Sequence, residues 1–103
     1  MVLLVLVSAC GDDGADLTDP DSATVSMPGF SFVPFAMTID RGGTVTFDFP
    51  AEAHNVIFER ITGAPEDIQA TSNRKVTRKF DVTGTFPYDC TLHPGMSGTI
   101  AVR

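Results

Sequence analysis

Runs in which polar and apolar side chains alternate recur through the chain after residue 22. In the clearest of them, residues 44–49 (TVTFDF), every second side chain is apolar, which indicates a strand with one buried face. Residues 35–39 alternate in the same way, and the sequence Asp40-Arg41-Gly42-Gly43 between these runs is typical of a turn. We predict further strands at residues 24–27, 54–59, 76–81, 85–90 and 98–102.

Short strands with no strongly periodic helical segment predict an all-β fold, an antiparallel β-sandwich of about seven strands. The seven prolines and nine glycines agree with a chain that turns often. Residues 63–73 are the least regular stretch, and we expect a loop with a short helix there. A length of 103 residues leaves room for one folded domain, which we place at residues 23–103.

The first 22 residues differ in composition from the rest. Residues 2–7 are apolar but too few to span a membrane, so we interpret residues 1–10 as an export signal. The sequence Val7-Ser8-Ala9-Cys10 resembles a bacterial lipobox, in which Cys10 carries a lipid; a plain secretory signal and an uncleaved anchor are the alternatives. Residues 11–22 contain five aspartates and no basic residue, which indicates an acidic flexible tether. We therefore expect a lipid-anchored protein at the periplasmic or extracytoplasmic face of a membrane.

A thiol, an imidazole and a thioether lie close together in residues 88–96. Cys90, His93 and Met96 follow one another at three-residue intervals. Each of them alone is typical of packing or of an exposed loop. Together they indicate copper, because soft sulfur ligands with imidazole select this metal, and two His, one Cys and a weak axial Met form the blue-copper arrangement. His54 is the only other histidine of the chain and is therefore the predicted fourth ligand.

Residues 54–56 (HNV) and 86–98 (FPYDCTLHPGMSG) together resemble the cupredoxins, the type 1 (blue) copper proteins. The two-residue gap between His93 and Met96 is similar to that of the amicyanin-like members rather than to the longer gap of plastocyanin. This resemblance covers roughly residues 25–102. It implies a Greek-key sandwich of about seven or eight strands with one copper at one end. It also implies a one-electron carrier that shuttles between larger redox proteins and is not an enzyme.

The resemblance further implies roles for three neighbours of the ligands. The Asn55 side chain would bond to Thr91, and the Asn55 amide would donate to the Cys90 sulfur. Leu92 stands where amicyanin and plastocyanin carry proline, so its N–H is free to give the sulfur a second hydrogen bond. That bond would stabilise the thiolate charge and raise the reduction potential above the value expected with proline.

His93 is expected to bring its ring edge to the surface, as the docking face for donor and acceptor proteins. The apolar residues expected around it are Leu92, Pro94, Met96, Pro34 and Phe35. The basic residues of the segment 74–79 are either a steering patch for an acidic partner or, as we prefer, a solvated strand face; they are Arg74, Lys75, Arg78 and Lys79. Outside the tether the charges nearly balance, which excludes nucleic acid as a partner, and we expect a monomer.

A copper enzyme and a copper carrier are the competing functions. Copper nitrite reductases and multicopper oxidases need further histidines for a second copper centre, whereas His54 and His93 are both used here. A copper carrier or chaperone without redox shuttling stays open as the alternative. Such proteins usually have Met- or Cys-rich sites that suit Cu(I), and this chain offers one Cys and one Met at the site.

Overall fold

The computed structural model describes residues 22–103. The expected export signal, the lipobox Cys10 and all but the last residue of the acidic tether lie outside the described residues and stay predictions. In the described part of the chain, no helix is long and apolar enough to cross a membrane.

In residues 22–103, eight strands form two sheets around one hydrophobic core. The strands are β1 (Ser22–Ser26), β2 (Ala36–Ile39), β3 (Thr44–Phe49), β4 (His54–Phe58), β5 (Ile68–Thr71), β6 (Arg74–Lys79), β7 (Gly84–Asp89) and β8 (Ser97–Val102). The smaller sheet has the order β1-β3-β6, and the larger sheet has the order β2-β8-β7-β4-β5. The predicted all-β sandwich is confirmed.

Each sheet contains one parallel pair and is otherwise antiparallel. β1 runs parallel to β3, with Ser22 opposite Thr44 and Ser26 opposite Asp48. β2 likewise runs parallel to β8, whereas the pairs β3–β6, β4–β5, β4–β7 and β7–β8 are antiparallel. Most neighbours in a sheet are distant in the chain, so the chain crosses repeatedly between the sheets, as it does in Greek-key sandwiches.

The segment 63–73 contains a strand, and the expected short helix is wrong. In this segment β5 pairs with β4, with His54 opposite Thr71, Val56 opposite Ile68 and an irregular register between them. β5 has only four residues, and Ile68 is its one buried side chain, so its sequence shows no alternation of polar and apolar residues. The turn into β6 follows at Asn73, which has a positive φ of 55°.

Aromatic side chains from both sheets fill the core. In β3 the residues alternate between partly and fully buried, as the sequence pattern predicted. The Tyr88 ring packs against the rings of Phe32, Phe47 and Phe58, with centroid distances of 4.8, 5.5 and 5.7 Å. Each fully buried Phe side chain contributes about 1.5–3 kcal/mol to stability. This cluster therefore holds together the strands that carry the predicted ligands.

Gly98 in β8 leaves the space that the Tyr88 ring occupies. A Cβ atom here would lie 2.5 Å from Cζ and from the hydroxyl oxygen of Tyr88, whose ring is almost fully buried. We expect Gly98→Ala to lower the free energy of unfolding by about 1–3 kcal/mol, as overpacking of cores does. Urea unfolding of the metal-free protein measures this change. In a Tyr88→Leu background the same substitution should cost less, and equal losses in both backgrounds would contradict the clash.

Asp67 fastens the loop between β4 and β5 to the end of β4. Its carboxylate accepts hydrogen bonds from the Phe58 amide at 2.8 Å and from the two terminal nitrogens of Arg60 at 3.3 and 2.9 Å. Burial alone would raise the pKa of Asp67. These hydrogen bonds, with the nearby charges of Arg60 and Arg78, outweigh burial and lower the pKa.

Because folding favours the ionised form of Asp67, its carboxylate stabilises the protein above the pKa of an unfolded aspartate. The contribution is lost as the pH falls through the lowered pKa of the folded state. We expect Asp67→Asn to lower the free energy of unfolding by about 1 kcal/mol at neutral pH, and by less at a pH below the usual pKa of an aspartate. Urea unfolding at both pH values checks this, with Glu66→Gln as the neighbouring control. A difference that does not change with pH would show that the charge is not responsible.

Candidate metal centre

Three strands bring the predicted ligands to one end of the larger sheet. His54 is the first residue of β4, Cys90 directly follows β7, and Met96 directly precedes β8. β7 is hydrogen-bonded to both β4 and β8, so the loop of residues 90–96 lies beside the start of β4. His93 lies in the middle of this loop.

Donor atoms of His54, Cys90 and His93 all lie within 4.8 Å of one another, the one such cluster of His, Cys, Asp and Glu in residues 22–103. Cys90 Sγ is 3.8 Å from His54 Nδ1, and the two imidazole centroids are 4.8 Å apart. His54, Cys90 and Met96 are at most 2% exposed, and the His93 side chain is 17% exposed. Three donors at this spacing are close enough to contact a single metal ion.

Backbone hydrogen bonds fix the loop that carries three of the four predicted ligands. The Cys90 amide donates to the Met96 carbonyl at 2.9 Å, and the Met96 amide donates to the His93 carbonyl at 3.2 Å. Gly95 has a φ of 85°, a left-handed conformation that residues with a Cβ rarely adopt. The chain itself therefore sets the shape of this loop.

The Asn55 side chain joins this loop to β4, as the resemblance implied. Its Nδ2 donates to Thr91 Oγ1 at 2.8 Å, and its Oδ1 accepts from the Thr91 amide at 2.8 Å. In residues 22–103 the Cys90 sulfur does not accept the expected hydrogen bonds from the amides of Asn55 and Leu92. It lies against the His54 ring instead. The predicted effect of Leu92 on the potential depended on such a hydrogen bond and is untested.

Both imidazoles are placed to offer a lone pair. Burial lowers the pKa of His54, and His93 lowers it further against the opposing effect of Glu52, so the His54 ring is neutral near pH 7. His54 Nδ1 faces the Cys90 sulfur at 3.8 Å, and the buried Nε2 has no hydrogen-bond partner among the described residues. His93 Nε2 lies 3.1 Å from the Ala53 carbonyl oxygen and, in the tautomer that donates to it, leaves Nδ1 free. A thiol with two such rings and a nearby thioether fits copper.

Phe30 contacts the cluster, a contact that the sequence did not predict. Its ring centroid lies 4.5 Å from that of His93, with 31° between the ring planes. Phe30 is nevertheless 62% exposed, so the stacked pair lies at the surface. The only sequence signal for it is a large apolar residue directly after the turn Pro28-Gly29.

The other residues expected around His93 differ in exposure. Leu92 is 46% and Phe35 is 72% exposed, and both Pro34 and Pro94 are exposed as well. The expectation that Met96 forms part of this exposed patch is wrong, because its side chain is buried in the core cluster. We use the term His93 surface for Phe30, Leu92, His93 and Pro94.

Three of the four basic residues of β6 have partners within the domain. The Arg78 guanidinium donates to two backbone carbonyls of the loop before β5, at 2.7 and 3.0 Å. Lys75 and Lys79 lie 3.8 and 3.7 Å from aspartate carboxylates. These contacts favour a solvated strand face over a steering patch.

Comparison with known proteins agrees with the fold and with this cluster. Residues 21–103 match the family described as copper binding proteins, plastocyanin/azurin family. The chain belongs to this family. It is 33% identical to amicyanin-alpha of Methylorubrum extorquens over 86 residues, which make up 80% of this chain and 72% of that protein. The resemblance to cupredoxins is thereby confirmed, and copper is the cofactor of this family.

Two solved structures show the same fold. A reduced Cu(I) form of an amicyanin variant has a TM-score of 0.71 and 27% identity, over 80% of this chain and 82% of that one. A copper-containing nitrite reductase from Thermus scotoductus has a TM-score of 0.69 and 28% identity over 80% of this chain. The match covers only 22% of the length of that reductase, so the likeness concerns one part of the enzyme.

Proposed function

We propose that this cupredoxin is a one-electron carrier whose copper is held by His54, Cys90, His93 and Met96. The observation that carries the proposal is the buried cluster of two imidazoles and one thiol. A copper ion bound there supplies one-electron chemistry between Cu(II) and Cu(I). We propose that the chain is not an enzyme, since its two histidines are both assigned as ligands and leave none for a second copper centre.

The contribution of the protein is to hold the donor atoms still. His54 is fully buried on a strand, and the backbone hydrogen bond of 2.9 Å between Cys90 and Met96 closes the loop. The Asn55 side chain links that loop to β4 through Thr91. Donors that move little when an electron arrives or leaves keep the barrier to electron transfer low.

We propose the His93 surface as the docking site for the donor and acceptor proteins. His93 is the most exposed of the proposed ligands, with 17% of its side chain accessible, and Phe30 and Leu92 next to it are 62% and 46% exposed. A small apolar surface suits a short-lived complex, because redox encounters generally bury little area. The similarity to amicyanin supports a function with redox partner proteins.

The placement of the protein in the cell is also proposed. Residues 1–10 act as an export signal that ends at a lipid-modified Cys10, and residues 11–22 act as a tether for the domain at 23–103. The support for this division is the composition of these segments. The cupredoxin domain would then work on the extracytoplasmic side of a membrane.

Titration of the metal-free protein with Cu(II) tests the proposed function. We expect an intense blue thiolate-to-copper absorption that saturates at about one equivalent of copper and is bleached reversibly by a reductant. The alternative is a copper carrier without redox shuttling. A colourless complex that forms only with Cu(I) would favour that alternative and contradict the electron carrier.

A further inference from the structure

The His93 ring has contacts on several sides, although it lies near the surface. Phe30 stacks on it with centroids 4.5 Å apart, the His54 ring meets it at 62°, and the Ala53 carbonyl oxygen lies 3.1 Å from its Nε2. His54 is the first residue of β4, and Ala53 directly precedes it. Phe30 comes from a different part of the fold and is exposed, and together with the exposed Glu52 carboxylate, 3.8 Å from His93 Nε2, it bounds the ring toward solvent.

The loop that presents Phe30 is itself well fixed. The amide and carbonyl groups of Ser26 and Val33 exchange two hydrogen bonds of 2.8 Å, which close the loop at its base. Met27 and Phe32, one near each end of the loop, are both 2% exposed and belong to the core. A loop anchored in this way places Phe30 against His93 at little cost in conformational entropy.

We infer that Phe30 is a positioning residue for His93, which restricts the motion of this imidazole on its solvent side. The inference rests on the proposed electron-carrier function and adds a determinant of its rate. Offset or tilted stacking of two aromatic rings at this distance contributes a favourable free energy in addition to that from the apolar area that it buries. Removal of the Phe30 ring takes away this contact and lets His93 tilt outward more readily. A ligand that shifts more between the two oxidation states raises the barrier to electron transfer.

The test compares Phe30→Leu, which keeps an apolar side chain but removes the ring, with Phe30→Tyr, which keeps the ring. Phe35→Leu is the matched control, because Phe35 is a comparably exposed aromatic residue, at 72% against 62%, and lies outside both the His93 stack and the His93 surface. In NMR spectra of the metal-free protein, we expect Phe30→Leu to remove the ring-current shift of the His93 ring protons and to broaden the signals of residues 91–95. Phe30→Tyr and Phe35→Leu should resemble the parent.

The second measurement is electron self-exchange of the copper-loaded proteins. We expect a rate about three- to tenfold lower for Phe30→Leu, with a steeper temperature dependence, and restoration by Phe30→Tyr. Unchanged His93 signals in the metal-free Phe30→Leu protein, or a self-exchange rate equal to or above that of the parent, would overturn the inference. A parent protein that forms no blue complex would refute the proposed function instead, and the NMR comparison would still report on Phe30.

Discussion

Cys90→Ser is expected to abolish the blue colour of the copper-loaded protein. The absorption requires electron transfer from a thiolate to copper, and a serine hydroxyl neither ionises near neutral pH nor offers a soft donor. Cys90 is one of the three clustered donors and the one cysteine of residues 22–103, so no other thiol of the domain can replace it. We also expect copper affinity to fall by more than about 100-fold, since even changes around a metal ligand cost up to that much.

Met96→Leu is the matched control for this experiment. It removes the weak axial sulfur at a buried position of similar volume, while the thiolate and both imidazoles remain. We expect Met96→Leu to keep an intense blue band with an altered potential. Absorption titration with Cu(II) and circular dichroism of the metal-free forms separate loss of the site from loss of the fold. A blue Cys90→Ser protein would show that the thiolate assignment is wrong.

Asn55→Ala is expected to loosen the metal loop before any copper binds. The substitution removes the hydrogen bond to Thr91 Oγ1 and leaves the Thr91 amide without its acceptor. Two hydrogen bonds at about 1 kcal/mol each, with the cost of an unpaired amide, predict a loss of about 2–4 kcal/mol in the free energy of unfolding. Copper affinity should fall by about 10- to 100-fold, as is usual when groups that orient ligands are removed.

Thr91→Ser and Thr91→Val divide this effect between its parts. Serine keeps the hydroxyl that accepts from Asn55 Nδ2 and should behave like the parent. Valine removes only that acceptor, so its loss should be smaller than that of Asn55→Ala, because the amide still donates to Asn55 Oδ1. Urea unfolding of the metal-free proteins gives the free energies. An Asn55→Ala protein as stable as the parent would show that the side-chain bridge does not hold the loop.

The features that sequence reasoning predicted well depend on local pattern. β3 was recognisable because Val45, Phe47 and Phe49 alternate with partly buried polar residues along the whole strand. Cys90 and His93 were recognisable because they lie three residues apart in one loop and because few residue types bind copper. The structure brings His54 to the same cluster, as the count of two histidines had predicted.

The features that sequence reasoning missed depend on contacts between distant segments. β5 has a single buried side chain, so its pairing with β4 rather than its own pattern makes it a strand. Phe30 is 63 positions before His93, and only the fold shows that the two rings stack. The parallel pairing of β1 with β3 likewise leaves no mark in either strand, because alternation is the same in parallel and antiparallel arrangements.

The register of β1 has a practical consequence for attaching this protein to an electrode or to another protein domain. Ser22 lies opposite Thr44 at the start of β3, and β3 then runs toward His54, so residue 22 is separated from the metal cluster by roughly 20 Å. Arg103 lies at that same far end, where its amide donates to the Ile39 carbonyl before the turn into β3. An electrode linker or a fused domain joined at residue 22 or residue 103 therefore leaves the His93 surface pointing outward, open to whatever exchanges electrons with it.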